Sequence, residues 1–175
     1  MPSPPAAILG LVLPVLMLAA AARDVTSFTI PNWIPLGLAL AFPLAALAFG
    51  FDARTLAVHL AISGLGLMIG IGLFALRGIG GGDAKLLAAA MLWLGWPATA
   101  SFLLITALAG GLLAAVLIAV RSAGLRPLVS AGPAWVARLA RPGEGVPYGL
   151  AIAAGALIVF PQTPFATPFA AGLGL

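Results

Sequence analysis

Long apolar runs separated by short polar breaks make up nearly all of this chain, and no other feature restricts its fold as strongly. A run of that kind cannot satisfy its backbone N–H and C=O groups from lipid, so it must close its hydrogen bonds within itself as a helix. Hydrophobic residues are 63% of the 175 and charged residues only 7%, against roughly 25% charged in a soluble domain. The mean hydropathy is +1.21. At about 20 residues per span, the expected fold is all-α: a polytopic membrane bundle of about six transmembrane helices, forming a single domain over residues 1–175.

The expected spans are residues 6–22, 33–50, 55–76, 84–94, 99–120 and 146–160. The first follows Met-Pro-Ser-Pro-Pro and lacks a basic n-region, so it reads as a retained helix and not as a cleaved leader. Loops are expected at 23–32, where Pro31 biases Ile30 away from helix, at 77–83, and at 121–145, with a short interfacial helix near residues 134–139. The tail beyond residue 160, rich in Pro and Phe, is expected at the membrane interface.

Lys and Arg fix the orientation, because basic loops stay in the cytoplasm. With both termini outside, the cytoplasmic loops collect Arg23, Arg77, Lys85, Arg121, Arg126, Arg138 and Arg141 and leave only Arg54 on the far side. The net charge of +4 is therefore read as topology. The basic residues are scattered and form no patch with interleaved aromatics, so no nucleic-acid partner is expected. Arg121, Arg126, Arg138 and Arg141, in the 121–145 loop, are expected to meet anionic lipid headgroups. The chain has no cysteine, which removes thiolate catalysis and paired CxxC zinc sites, and no metal ligand set is expected. His59, the one histidine, lies in an apolar run and reads as a packed residue.

Carboxylates at a membrane boundary are costly and therefore informative. Of four acidic residues, Asp52 suits a turn beside Arg54 and Glu144 suits a solvated loop. Asp83 follows Gly80, Gly81 and Gly82 and precedes an apolar run, which fits a helix cap but leaves the glycine run unexplained. Asp24 closes the first span beside Arg23. In the expected topology both aspartates lie at the cytoplasmic face. Two carboxyls close enough to share a proton are the working parts of an aspartic protease, one taking a proton from water and the other donating to the scissile carbonyl.

Three stretches resemble the type IV prepilin peptidases, in particular the small peptidase-only members that serve Flp or Tad pili. Asp24 followed by Ile30-Pro31-Asn32 resembles the first motif of that family. Gly80-Gly81-Gly82-Asp83-Ala84-Lys85 resembles its GxGD motif, and Val146-Pro147-Tyr148-Gly149 is similar to the segment that opens its last helix. The resemblance implies that Asp24 and Asp83 are catalytic and that no cofactor is used. The implied substrates are prepilin leader peptides, cut at the cytoplasmic face of the bacterial inner membrane. The bifunctional members carry a CxxC-bearing insertion and methylate the new N-terminus; this chain has no such insertion, and methyl transfer is not expected. Gly80, Gly81 and Gly82 are expected to make room for an extended substrate, Lys85 to snorkel or to tune the aspartates, and Pro31 and Asn32 to position Asp24. Two rival readings stand beside this one: a small ion- or proton-coupled transporter, and a non-catalytic subunit of a pilus or secretion machine.

Overall fold

Every regular element that these apolar runs form is a helix. The structure, a computed structural model, describes residues 4–169 and has no strand among them. In chain order the elements are α1 (Pro4–Gly10), α2 (Val12–Ser27), α3 (Trp33–Ala48), α4 (Ala53–Ala75), α5 (Gly81–Leu94), α6 (Ala98–Val120), α7 (Arg126–Ser130), α8 (Ala134–Leu139) and α9 (Tyr148–Val159), followed by two 3₁₀ turns. Pro5–Ser27, Ala53–Ala75 and Ala98–Val120 are each long and apolar enough to cross a membrane, while α3 and the α9 segment are shorter apolar helices. The expected all-α membrane bundle is the fold observed.

Helix α5 is the axis of the bundle. Asp83, Ala84 and every residue from Leu86 to Leu94 are buried, so the helix meets protein on all sides. At 1.5 Å per residue its 14 residues span only about 21 Å, less than the ~30 Å hydrocarbon layer. A helix that short is tolerable because its neighbours, not lipid, surround its ends.

Close packing against α4 sets its position. Gly66 and Gly70 are buried in α4, and a Cβ at Gly70 would come within 2.9–3.1 Å of Ala84. Ser63 Oγ donates to Ala88 O at 3.0 Å, and His59 Nδ1 lies 2.7 Å from Leu92 O. His59 is thus a pin between two helices, stacked on Phe42. Toward α3, Trp93 Nε1 donates to Leu38 O at 2.9 Å. Asp52 caps α4, its Oδ1 accepting from Thr55 N at 2.8 Å.

Several element bounds depart from the sequence expectation, each for a local reason. The first span runs on through Asp24 to Ser27, because the Thr26 and Ser27 hydroxyls bond back to the carbonyls of Ala22 and Arg23 and complete the last turn. The chain breaks instead at Phe28, which adopts left-handed backbone (φ 53°) while its N–H still bonds Asp24 O. The expected loop 77–83 ends early, since α5 begins at Gly81. The 121–145 loop contains both α7 and α8. At the N-terminal end α1 and α2 are parted at Leu11, three residues before Pro14, which has no N–H to give Gly10 O.

The tail corrects a further expectation. Phe165 is fully buried, not interfacial, and its ring lies 4.9–6.3 Å from those of Trp93, Phe49, Phe51 and Phe42. These aromatic edges and faces close the end of the bundle remote from α5's N-terminus. Residues 170–175 of the tail lie outside the described residues.

Gly70→Val should separate α4 from α5, since its side chain would meet the Ala84 backbone. We expect about 1–3 kcal/mol of destabilisation, read as a lower thermal midpoint in detergent. Gly72→Ala, on the same helix but with open space at its Cβ, should melt no lower than the wild type; equal loss in both variants would contradict this packing.

Candidate active site

Asp24 reaches the site from the last turn of α2 and Asp83 from the first turn of α5, and both line one cavity of about 230 Å³. The other walls are Phe28, Thr29, Ile30 and the glycines at 80, 81 and 82. The two aspartates are 4% and 8% exposed.

Each is oriented by a backbone donor. Gly149, at the start of α9, donates its N–H to Asp24 Oδ2 at 2.6 Å. Gly80 donates its N–H to Asp83 Oδ2 at 3.0 Å. Asp83 is therefore not the N-cap that its place before an apolar run suggests. Gly80 is the N-cap, and Asp83, three residues on, reaches back to its N–H. That leaves Asp83 Oδ1 buried with no hydrogen-bond partner among the described residues.

Close backbone approach explains two of the surrounding glycines. A Cβ on Gly82 would lie 3.1 Å from Ile30 Cβ and 3.2 Å from Ile30 O, so this glycine admits the segment that follows Phe28. A Cβ on Gly149 would lie 2.8 Å from Asp24 Oδ2 and 2.6 Å from Ile30 Cδ1. Ile30 thus sits between the starts of α5 and α9 and holds both against α2. Phe28, whose left-handed turn throws residues 29 and 30 across the cavity, lies under the Arg138 guanidinium at 5.1 Å.

Of the other residues singled out from the sequence, the structure keeps three out of the cavity. Lys85 Nζ donates to Asn32 Oδ1 at 2.9 Å, on the flank of α5 turned away from Asp83. Neither side chain lines the aspartate cavity, and Pro31 is also absent from its walls. Sequence reasoning did not single out Phe28, Thr29 or Ile30 as walls, nor Gly149 as a donor. The Pro147-Tyr148-Gly149 run was the available signal for Gly149, a glycine at a helix start following a proline.

Beyond Gly80 a second, larger cleft of about 830 Å³ opens between the end of α4 and the approach to α9, lined by Phe74, Arg77, Ile79, Gly80, Val146 and Tyr148. The approach to α9 is held by Arg121, whose Nε donates to Leu139 O at 2.9 Å and whose Nη2 donates to Gly145 O at 2.8 Å. Arg121 and Arg138 therefore turn onto the protein, whereas all four loop arginines were expected to face headgroups. Removing the clamp in Arg121→Gln should speed tryptic cleavage after Arg138 several-fold in membranes; an unchanged rate would mean that the two hydrogen bonds do not hold the loop.

Neither the comparison with curated proteins nor that with solved structures gives a match. The comparison with protein families matches residues 11–115, a stretch that includes both aspartates and ends before Gly149. Over that majority of its length the sequence fits one family of membrane peptidases, and the chain belongs to the type IV leader peptidase family.

Proposed function

We propose that this protein is an aspartic endopeptidase that removes the leader from type IV prepilins of the Flp or Tad kind, with Asp24 and Asp83 as its catalytic pair. The observation that carries the reading is the meeting of these two carboxyls, from α2 and α5, in one small cavity. In the reaction one carboxylate takes a proton from a water molecule as the water's oxygen bonds to the scissile carbonyl carbon. The other carboxyl, protonated, donates to the carbonyl oxygen as it gains charge. Collapse of the tetrahedral intermediate breaks the C–N bond, and the proton taken from water passes to the departing amine. Either carboxyl can serve as the base while the other serves as the donor, so the roles belong to the pair as a unit.

The larger cleft beside Gly80 suits the entry of an extended peptide segment, because it is open and adjoins the aspartates through a residue with no side chain. The starts of α5 and α9 and the end of α2 lie together, and the basic loops leave from that same end. This supports six spans with the site at the cytoplasmic face of the inner membrane. It also weighs against the transporter reading, which calls for carboxylates near the middle of a span with access from both sides. The absence of cysteine keeps methyl transfer out of the proposed activity.

Co-expression with a prepilin tests the reading. Asp24→Asn and Asp83→Asn, each at wild-type abundance, should lower cleavage at least about 100-fold; wild-type cleavage by either variant would remove that residue from the pair. The rate should be bell-shaped in pH. The acid limb reports protonation of the carboxylate that acts as base, and the alkaline limb reports ionisation of the carboxyl that acts as donor. A profile with only one limb would mean that a single carboxyl suffices. Gly149→Ala should also cost about 100-fold by displacing Asp24, while Gly111→Ala, with open space at its Cβ, should cleave normally; equal activity in the two would detach Gly149 from the site.

A further inference from the structure

On the flank of α5 opposite the aspartates, a groove of about 380 Å³ runs between α3, α4 and α5. Its walls on α3 are Asn32, Pro35, Leu36 and Ala39, and on α5 they are Lys85, Ala88, Ala89 and Leu92. Both sets recur at helical spacing, so each is one face of its helix. At 1.5 Å per residue the groove extends about 10 Å from the Lys85–Asn32 pair into the apolar part of the bundle. Its one polar side wall below that pair, Ser63, already gives its hydroxyl to Ala88 O. The groove is therefore amphipathic along its length, with a cation at the mouth and apolar walls below.

No acidic side chain answers that cation. Asp24 and Asp83 face the other cavity, Asp52 bonds Thr55 at the far end of α4, and Glu144 lies beside Arg138. Lys85 Nζ is held by the neutral Asn32 and remains exposed. The shape limits the occupant further. The small side chains of Ala39, Ala88 and Ala89 leave a trough between the facing helices. A single acyl chain needs only a narrow slot.

We propose that this groove is a binding site for one anionic phospholipid, with its phosphate on Lys85 and Asn32 and an acyl chain along Ala39, Ala88 and Leu92. The lipid would bridge three helices and rest two residues from Asp83 along α5. The site does not depend on Asp24 or Asp83 being catalytic. It requires only that the chain lie in a membrane.

The full-length protein in a neutral detergent can be titrated with dioleoyl phosphatidylglycerol or dioleoyl phosphatidylcholine and the bound lipid counted by native mass spectrometry. We expect one phosphatidylglycerol to bind roughly fivefold more tightly than phosphatidylcholine, the increment of a single basic residue against an anionic headgroup. Lys85→Gln should abolish that preference. Ala39→Trp, a change at an exposed position that fills the groove, should weaken both lipids, and Arg54→Gln, at the far end of α4, should change neither. Wild-type binding of phosphatidylglycerol by both Lys85→Gln and Ala39→Trp would overturn the proposal. So would displacement of the lipid by inorganic phosphate at equal concentration, which would mark a bare anion site with no use for the groove.

Discussion

The N-terminal turn of α5 has to be buried together with a carboxylate, and most of the architecture answers that requirement. A 14-residue helix enclosed by protein places Asp83 below the level that a full-length span would reach. Gly80 supplies one donor to it, and Gly82 gives up a side chain so that Ile30 can close the wall. The glycines of α4 allow that helix to lie against Ala84 at backbone distance, so α5 cannot turn or slide without a clash. A buried carboxyl left to a loosely held helix would cost several kcal/mol and find water or a counter-charge instead. Here it finds a second carboxyl and oriented N–H groups.

Gly149 links the two halves of the chain at that point. Its N–H bond to Asp24 spans 125 residues of sequence, and the segment leading to it is fixed by Arg121 across the 121–145 loop. Phe28, in a backbone conformation that a bulky residue seldom adopts, turns the chain from α2 toward Ile30. The cation above its ring comes from α8 of the same loop. A loop that composition marks as a simple basic connector therefore holds one wall of the cavity, Phe28, and the approach to the Gly149 donor.

The helical class was readable from the apolar runs, since lipid leaves the backbone no alternative. Asp24 and Asp83 were readable as candidates because carboxylates are rare in such a chain, and the resemblance named the same two. Helix ends were less readable. Hydroxyl back-bonding by Thr26 and Ser27 carries α2 past the charged pair at 23 and 24, and the Asp83 side chain, by reaching Gly80, moves the start of α5 forward into the glycines. Phe165 looked like an interfacial aromatic because nothing local reveals the four rings that surround it. Lys85 and Asn32 carried motif positions, yet helical periodicity turns Lys85 away from Asp83. Contacts such as Gly149 with Asp24 depend on distant segments meeting, which a single sequence does not encode in its local pattern.

The central claim is that the side chains at 24 and 83 meet in one cavity, and the chain's lack of cysteine makes a direct test simple. Asp24→Cys/Asp83→Cys can be treated in membranes with dibromobimane, which becomes strongly fluorescent only on bridging two thiols, with each single variant as control. Bright, singly bridged protein is expected from the double variant and none from the singles. Two separate adducts on the double variant, without the fluorescence of a bridge, would place the carboxyls apart and contradict that claim.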